Sequence, residues 1–350
     1  MKAAVLFKIN KPLCILDNIK LPRLLPGQVE VEIAYSGVCH SQLMEVRGRR
    51  GEDRFLPHML GHEATGVVRA VGDNVSKVMP GDKVILGWIK GDGMDVPGAI
   101  YDWNGTAINS GGITTFSERT IVSENRLTKL PVGLPMDLGV LFGCAVPTGA
   151  GMVLNEIEIE SHHSVVIIGV GGIGAISLMY AKCRNPQKLI AVDVRSEKLK
   201  VATALGASHV IDGSRNDVVE QILALTNGQG ADFCIDAAGR TSTIELAFEA
   251  TRRKGGQCVF ASHPEAGQMI SLDPFELVNG KNIKGSWGGD TKPDEDLLKF
   301  YKMSVQNTLP LESMITKRYD LESINEALDD LEAGVVMRPL IEINPALNGK

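Results

Sequence analysis

The sequence predicts an all-β, barrel-like region followed by a doubly wound α/β region built on a parallel sheet. Three observations predict it. Short β-like runs, punctuated by glycine and proline, fill residues 1–145. From Ser164 onward, short apolar runs alternate with helical stretches. A glycine-rich turn, Gly169-Val170-Gly171-Gly172-Ile173-Gly174, joins the first of those apolar runs to an apolar helical run.

The first region carries QVEVEIAYSGV (28–38), ATGVVRAVG (64–72) and DKVILGW (82–88). Such β-rich runs between turn signals read as strands. Pro26-Gly27 and Pro80-Gly81 each supply a turn before such a run. The character changes near Pro147. The strands expected beyond it are SVVIIGV (164–170), KLIAVDV (188–194), HVID (209–212), ADFCIDAA (231–238) and GQCVFA (256–261). Helical patterns lie between them, such as 196–206 and 244–252. This alternation specifies crossovers that place helices on both faces of a parallel sheet. The tail predicts a helix over 321–334 and a strand over 336–343, returning to the first domain. The expected domains are therefore 1–146 completed by 291–350, and 147–290.

A chain of 350 residues suits two domains. Hydrophobic residues at 44% and charged residues at 22% support a packed core. A net charge of −6 lacks the basic footprint of a nucleic-acid binder. MKAAVLFKIN has no signal-peptide core, and no run of about 18 apolar residues predicts a membrane span. The six cysteines are scattered, which fits reduced thiols in a cytoplasmic protein.

The glycine turn has a strand before it, a helix after it, and Asp193 ending the next strand 19 residues beyond Gly174. That context predicts a dinucleotide site. Gly169 permits the tight turn, Gly171 lets backbone approach a pyrophosphate, and Gly174 permits close helix–strand packing. Asp193 is expected to accept hydrogen bonds from the adenosine ribose, favouring NAD over NADP. Arg195 pulls the other way, because an arginine there can accommodate a 2′-phosphate.

Cys39, His62 and Cys144 are two thiols and an imidazole, and three such ligands with an open position are what a catalytic zinc needs. Their long spacing does not by itself show that they converge, and buried cysteine is often a plain small hydrophobe. Cys14, Cys183, Cys234 and Cys258 read as core or surface residues. His58, His162, His163, His209 and His263 read as ordinary polar residues.

The stretch GHEATGVVRAVGDNV (61–75), with Gly66, Gly72 and Val75 in place, resembles the pattern of zinc-containing alcohol dehydrogenases. GVCHSQL (37–43), PGDKV (80–84), FGCAVPTGAG (142–151) and the glycine turn extend the resemblance over essentially the whole chain. It implies a medium-chain dehydrogenase, with a GroES-like catalytic domain and a Rossmann domain. By the same resemblance Cys39, His62 and Cys144 are zinc ligands. Glu63 sits where some members have an exchangeable fourth ligand or a residue behind the ligands. Ser41 takes the place of the hydroxyl that relays the substrate proton. His40 and Arg338 match residues that face the pyrophosphate. Thr148 lies in the segment packed on the nicotinamide, and Lys198 matches a lysine near the ribose.

Three departures stand out. Many relatives hold a second, structural zinc with four cysteines, yet residues 88–116 contain no cysteine, so one zinc per chain is expected. That segment, rich in glycine and aromatic residues, reads as a structured or mobile loop. Gln42 replaces a common aspartate that makes the ligand histidine more basic. Met44 lies where some members place a relay histidine or tyrosine.

The expected function is hydride transfer between NAD(H) and an alcohol, polyol or sugar-derived hydroxyl, with the carbonyl formed in reverse. A zinc-containing double-bond reductase and a non-catalytic NAD- and zinc-binding protein are the alternatives. The expected partner is a small-molecule substrate, with no nucleic acid and no membrane. The resemblance implies a homodimer or homotetramer.

Overall fold

The computed structural model describes residues 1–262 and 264–349, so His263 lies outside the described residues. The chain forms two compact units. One is Met1–Cys144 with Lys292–Lys302 and Leu311–Lys350, and the other is Ala145–Thr291 with Met303–Pro310. Residues 303–310, expected with the first unit, group with the second. Ser304 is buried there and hydrogen-bonds the buried Tyr180.

The first unit is built on the ten-residue strand Gln28–Gly37. Val29, Val31 and Ile33 project alternately into a core shared with Ala64, Val68, Val84 and Leu86. On one side this strand pairs along its length with Ala64–Val71. On the other it pairs first with Arg119–Ser123 and then, from Tyr35, with the tail strand Arg338–Glu342. That second pairing brings the tail into the first unit's seven-stranded sheet. A five-stranded sheet completes the unit, joining Ala3–Leu6 and His58–Met59 to the hairpin Ile100–Trp103 and Thr106–Asn109.

This hairpin is what the cysteine-free segment becomes. Its turn is Asn104-Gly105, with φ of 52° and 85°. Asn-Gly is the strongest short hairpin signal, because both central residues need positive φ. The hairpin is anchored by Tyr101, which is buried and accepts the Ile121 N–H on its hydroxyl at 2.7 Å. Residues before it are pinned by the buried Glu124 carboxylate, which accepts the N–H groups of Ser76, Lys77 and Met94 at 3.1, 3.2 and 2.8 Å.

Burial pushes the Glu124 carboxyl up, but those backbone donors outweigh it and hold the group below its ordinary 4.5. A depressed folded pKa means this stabilisation is complete above the ordinary 4.5 and is lost as pH falls from there through the folded value. Glu124→Ala is expected to cost about 2–4 kcal/mol at pH 7, because three donors lose their acceptor. The deficit should shrink toward pH 4. Thermal unfolding at both pH values checks this, and a pH-independent deficit would contradict it.

The second unit is a six-stranded parallel sheet. Its order is His209–Asp212, Lys188–Asp193, Ser164–Ile168, Phe233–Asp236, Gln257–Phe260, Asn282–Gly285. The first five strands lie where the sequence predicts them. The sixth, NIKG, is an edge strand with no buried residue, so it has no apolar run to announce it. Val166, Ile168, Ile190, Val192 and Ile211 form the sheet side of the core. The strand order reverses beside Ser164–Ile168, which is where such sheets bind ligands. Among the described residues, no single helix is long and apolar enough to cross a membrane.

Candidate active site

In the first unit three separate turns deliver the candidate ligands. Cys39 is the N-cap of helix His40–Val46, directly after the central strand. His62 follows Gly61, whose φ of 96° turns the chain sharply. A side chain at Gly61 would meet Thr115 Oγ1 at 2.3 Å, so only glycine fits this turn. Cys144 ends the turn Val140–Gly143, where a side chain on Gly143 would strike Leu86 O at 2.4 Å.

The result is convergence. His62 Nε2 lies 3.3 Å from Cys144 Sγ, and the two sulfurs are 4.0 Å apart. All three ligand atoms lie within 4.8 Å of one another. Zinc bonds of about 2.3 Å to sulfur and about 2.0 Å to nitrogen put tetrahedral ligands roughly 3.5–3.8 Å apart. The donor set and its spacing therefore fit zinc. The Cys144 thiol donates to the Cys39 sulfur, holding Cys39 well below and Cys144 well above the ordinary thiol value. Two sulfurs this close carry a second negative charge readily only with a cation between them.

In the second unit the glycine turn has the expected anatomy. Gly169 has φ 87°, and a side chain on Gly174 would fall 1.8 Å from Gly169 O. A side chain on Gly171 would meet nothing within 4 Å, which is the open approach a pyrophosphate needs. Asp193 accepts Val170 N–H at 2.7 Å and Arg195 N–H at 3.0 Å, so its carboxylate also braces the turn. Burial lowers the Lys198 ammonium, while Asp193 raises it and Arg195 lowers it, which places Lys198 beside both. Thr148, in helix Ala145–Leu154, is buried with a hydroxyl that has no protein partner among the described residues. Such an orphan suits a ligand contact.

The first region matches the alcohol dehydrogenase GroES-like domain over residues 25–132, and the second matches the zinc-binding dehydrogenase model over 172–303. An S-(hydroxymethyl)glutathione dehydrogenase of Saccharomyces cerevisiae is 30% identical over 97% of this chain and 95% of its own. This chain belongs to the zinc-containing alcohol dehydrogenase family. The crystal structure of benzyl alcohol dehydrogenase from Acinetobacter calcoaceticus is 26% identical, covers 98% of this chain and 99% of its own, and has a TM-score of 0.87. An alcohol dehydrogenase zinc-binding domain protein from Burkholderia ambifaria is 27% identical, covers 98% of both chains, and has a TM-score of 0.88. The expected GroES-like and Rossmann architecture holds. The chain is an oxidoreductase acting on alcohols, with zinc and a nicotinamide dinucleotide as its cofactors.

Two site residues of this alcohol dehydrogenase, Glu63 and Arg338, meet each other. Glu63 is not among the converging ligand atoms. Its carboxylate instead accepts Arg338 Nη1 at 2.7 Å, with side-chain exposures of 1% and 5%. Gly37 makes this possible, because a side chain there would sit 2.7 Å from the Glu63 carboxyl carbon. Arg338 is buried close to both thiols. Burial alone would favour losing its proton. The Glu63 carboxylate and the two sulfurs outweigh that and raise its pKa. The same guanidinium helps lower Cys39.

Gln42 lies where the sequence places it, with its amide nitrogen against His62 Nδ1 and its oxygen accepting Cys39 N–H at 3.2 Å. A carboxamide can present either face to Nδ1, whereas a carboxylate would demand the protonated Nδ1. Ser41 stands in the first turn of its helix, after the exposed His40. Its hydroxyl accepts Arg50 Nη2 at 3.2 Å, a contact the sequence does not announce. His58 also has a partner after all, Asp53.

Proposed function

We propose that this chain is an NAD-dependent alcohol dehydrogenase with one catalytic zinc per chain, held by Cys39, His62 and Cys144. The observation that carries this is the three-atom cluster with Glu63 engaged elsewhere, because three protein ligands leave a position for substrate oxygen. Zinc there would supply Lewis-acid polarisation of that oxygen. Ser41 accepts the alcohol proton and passes it outward. Gly169–Gly174 and His40 bind the pyrophosphate, Thr148 packs on the nicotinamide, and Asp193, with Lys198, binds the ribose. Arg195 is the one group that favours a 2′-phosphate.

The hairpin over 100–109, without a cysteine, supports the absence of a structural zinc. The relatives' names include S-(hydroxymethyl)glutathione and benzyl alcohol dehydrogenases, and both primary and secondary alcohols belong to the proposed range. Polyol and sugar hydroxyls belong to the same reaction class. The protein is proposed to be cytoplasmic and a homodimer or homotetramer.

A panel of alcohols and carbonyls with NAD and NADP, run with and without a zinc chelator, tests the reading. Oxidation should run with NAD, stop on chelation and return with zinc, and metal analysis should give one zinc per chain. A preference for NADP, or two tightly bound zinc ions, would overturn those parts. Ser41→Ala should lower turnover by about tenfold to a hundredfold while zinc is retained. An unchanged rate would remove Ser41 from the path.

A further inference from the structure

We propose that Arg50 is a positioning residue whose guanidinium orients the Ser41 hydroxyl for proton transfer. The proposal rests on the Ser41 role above. Ser41 and Glu45 stand four residues apart on helix His40–Val46, and therefore on one face. Arg50 reaches back from the following loop to bridge them. Its Nη2 donates to Ser41 Oγ at 3.2 Å, and its Nη1 lies 3.7 Å from Glu45 Oε2.

Glu45 is itself part of a larger array. Its Oε1 lies 3.9 Å from His58 Nε2, and Asp53 Oδ2 lies 2.7 Å from the same nitrogen. His58 is buried, and its Nδ1 donates to Met59 O at 3.0 Å, which aims Nε2 at the two carboxylates. The start of the loop is tied down as well. Arg47 and Arg49 pair with Glu332 at 2.7 and 2.6 Å, on helix Ile324–Ala333. Arg50 thus extends from a loop braced at both ends onto one small hydroxyl.

A hydroxyl has one donor and two acceptor lone pairs. To relay a proton, Ser41 takes the alcohol's proton on one lone pair and releases its own. Arg50 occupies the other lone pair, which selects the hydroxyl orientation. The guanidinium stays protonated at any working pH, so it is not a stop on the path. Its charge disfavours excess proton on Oγ and speeds the hand-off. In the full step the alcohol O–H bond breaks, a new Ser41 O–H bond forms, and the original Ser41 proton leaves to solvent. Arg50 changes no bond. Met44, on the same helix, has no group to take the proton.

The test compares Arg50→Gln, Arg50→Lys, Ser41→Ala and the Ser41→Ala/Arg50→Gln double variant in the zinc-loaded enzyme, with metal content measured for each. Arg50→Gln should lower kcat about tenfold with KM and zinc content essentially unchanged. Arg50→Lys should recover part of the loss, since an ammonium keeps the charge without the planar fork. In the Ser41→Ala background, Arg50→Gln should have no further effect. Wild-type kcat in Arg50→Gln overturns the proposal. The same loss repeated in the Ser41→Ala background also overturns it, because Arg50 would then act on substrate or fold. An unchanged rate in Ser41→Ala alone overturns the Ser41 role, and this proposal with it.

Discussion

Replacing Cys39 or His62 with alanine is expected to abolish zinc binding and turnover together. The three ligand atoms lie within 4.8 Å of one another, so each supplies a third of the site. Removing one leaves two protein ligands, too few for a stable zinc site. Turnover should fall by more than about a thousandfold, since losing even a hydrogen-bond partner of a ligand costs about 10–100-fold in affinity. The variants differ in side effects. Cys39→Ala takes away a sulfur that helps hold Arg338 protonated. His62→Ala takes away the contact to Gln42 and a hydrogen bond that helps hold the buried Cys39 below the ordinary thiol value. Metal content, turnover and circular dichroism on both variants decide the matter. Full turnover by a zinc-free Cys39→Ala enzyme would sink the reading.

The second large effect is on stability. Glu63 and Arg338 form an ion pair closed off from solvent. Breaking such a pair from one side costs about 3–5 kcal/mol, because the remaining charge is left buried without its partner. Arg338→Met leaves the Glu63 carboxylate facing the Cys144 sulfur without its guanidinium, the worst case electrostatically. Glu63→Gln leaves Arg338 with the sulfurs as counter-charges, so it should be milder. The double variant Glu63→Gln/Arg338→Met should recover most of the loss. Chemical denaturation of the four proteins provides a double-mutant cycle. A single Arg338→Met variant as stable as the parent would contradict the assignment.

Much of the fold is legible in local pattern. Strand Gln28–Gly37 alternates Val29, Val31 and Ile33 toward the core, and the sheet strands from Ser164 are short apolar runs. The edge strand Asn282–Gly285 half-buries only Ile283 and so leaves no such pattern. The hairpin at Asn104-Gly105 carried a readable signal, since that dipeptide demands two positive φ values. Its neighbourhood of glycine and aromatic residues reads as loop when the dipeptide is passed over.

What the sequence determined on its own is chemistry tied to short motifs. The glycine turn and its acidic partner, the ligand types at 39, 62 and 144, and the missing structural cysteines are all matters of residue type and local spacing. The tertiary structure alone decided which distant charges meet. Arg338 lies 275 residues from Glu63 in the chain, and pairing across the central strand brings it onto that carboxylate. Arg50 reaches Ser41 because its loop is held by Glu332 and braced by His58. Long charged side chains have many rotamers and no periodic signature. Their partners are fixed by packing around them, and packing is a property of the folded chain.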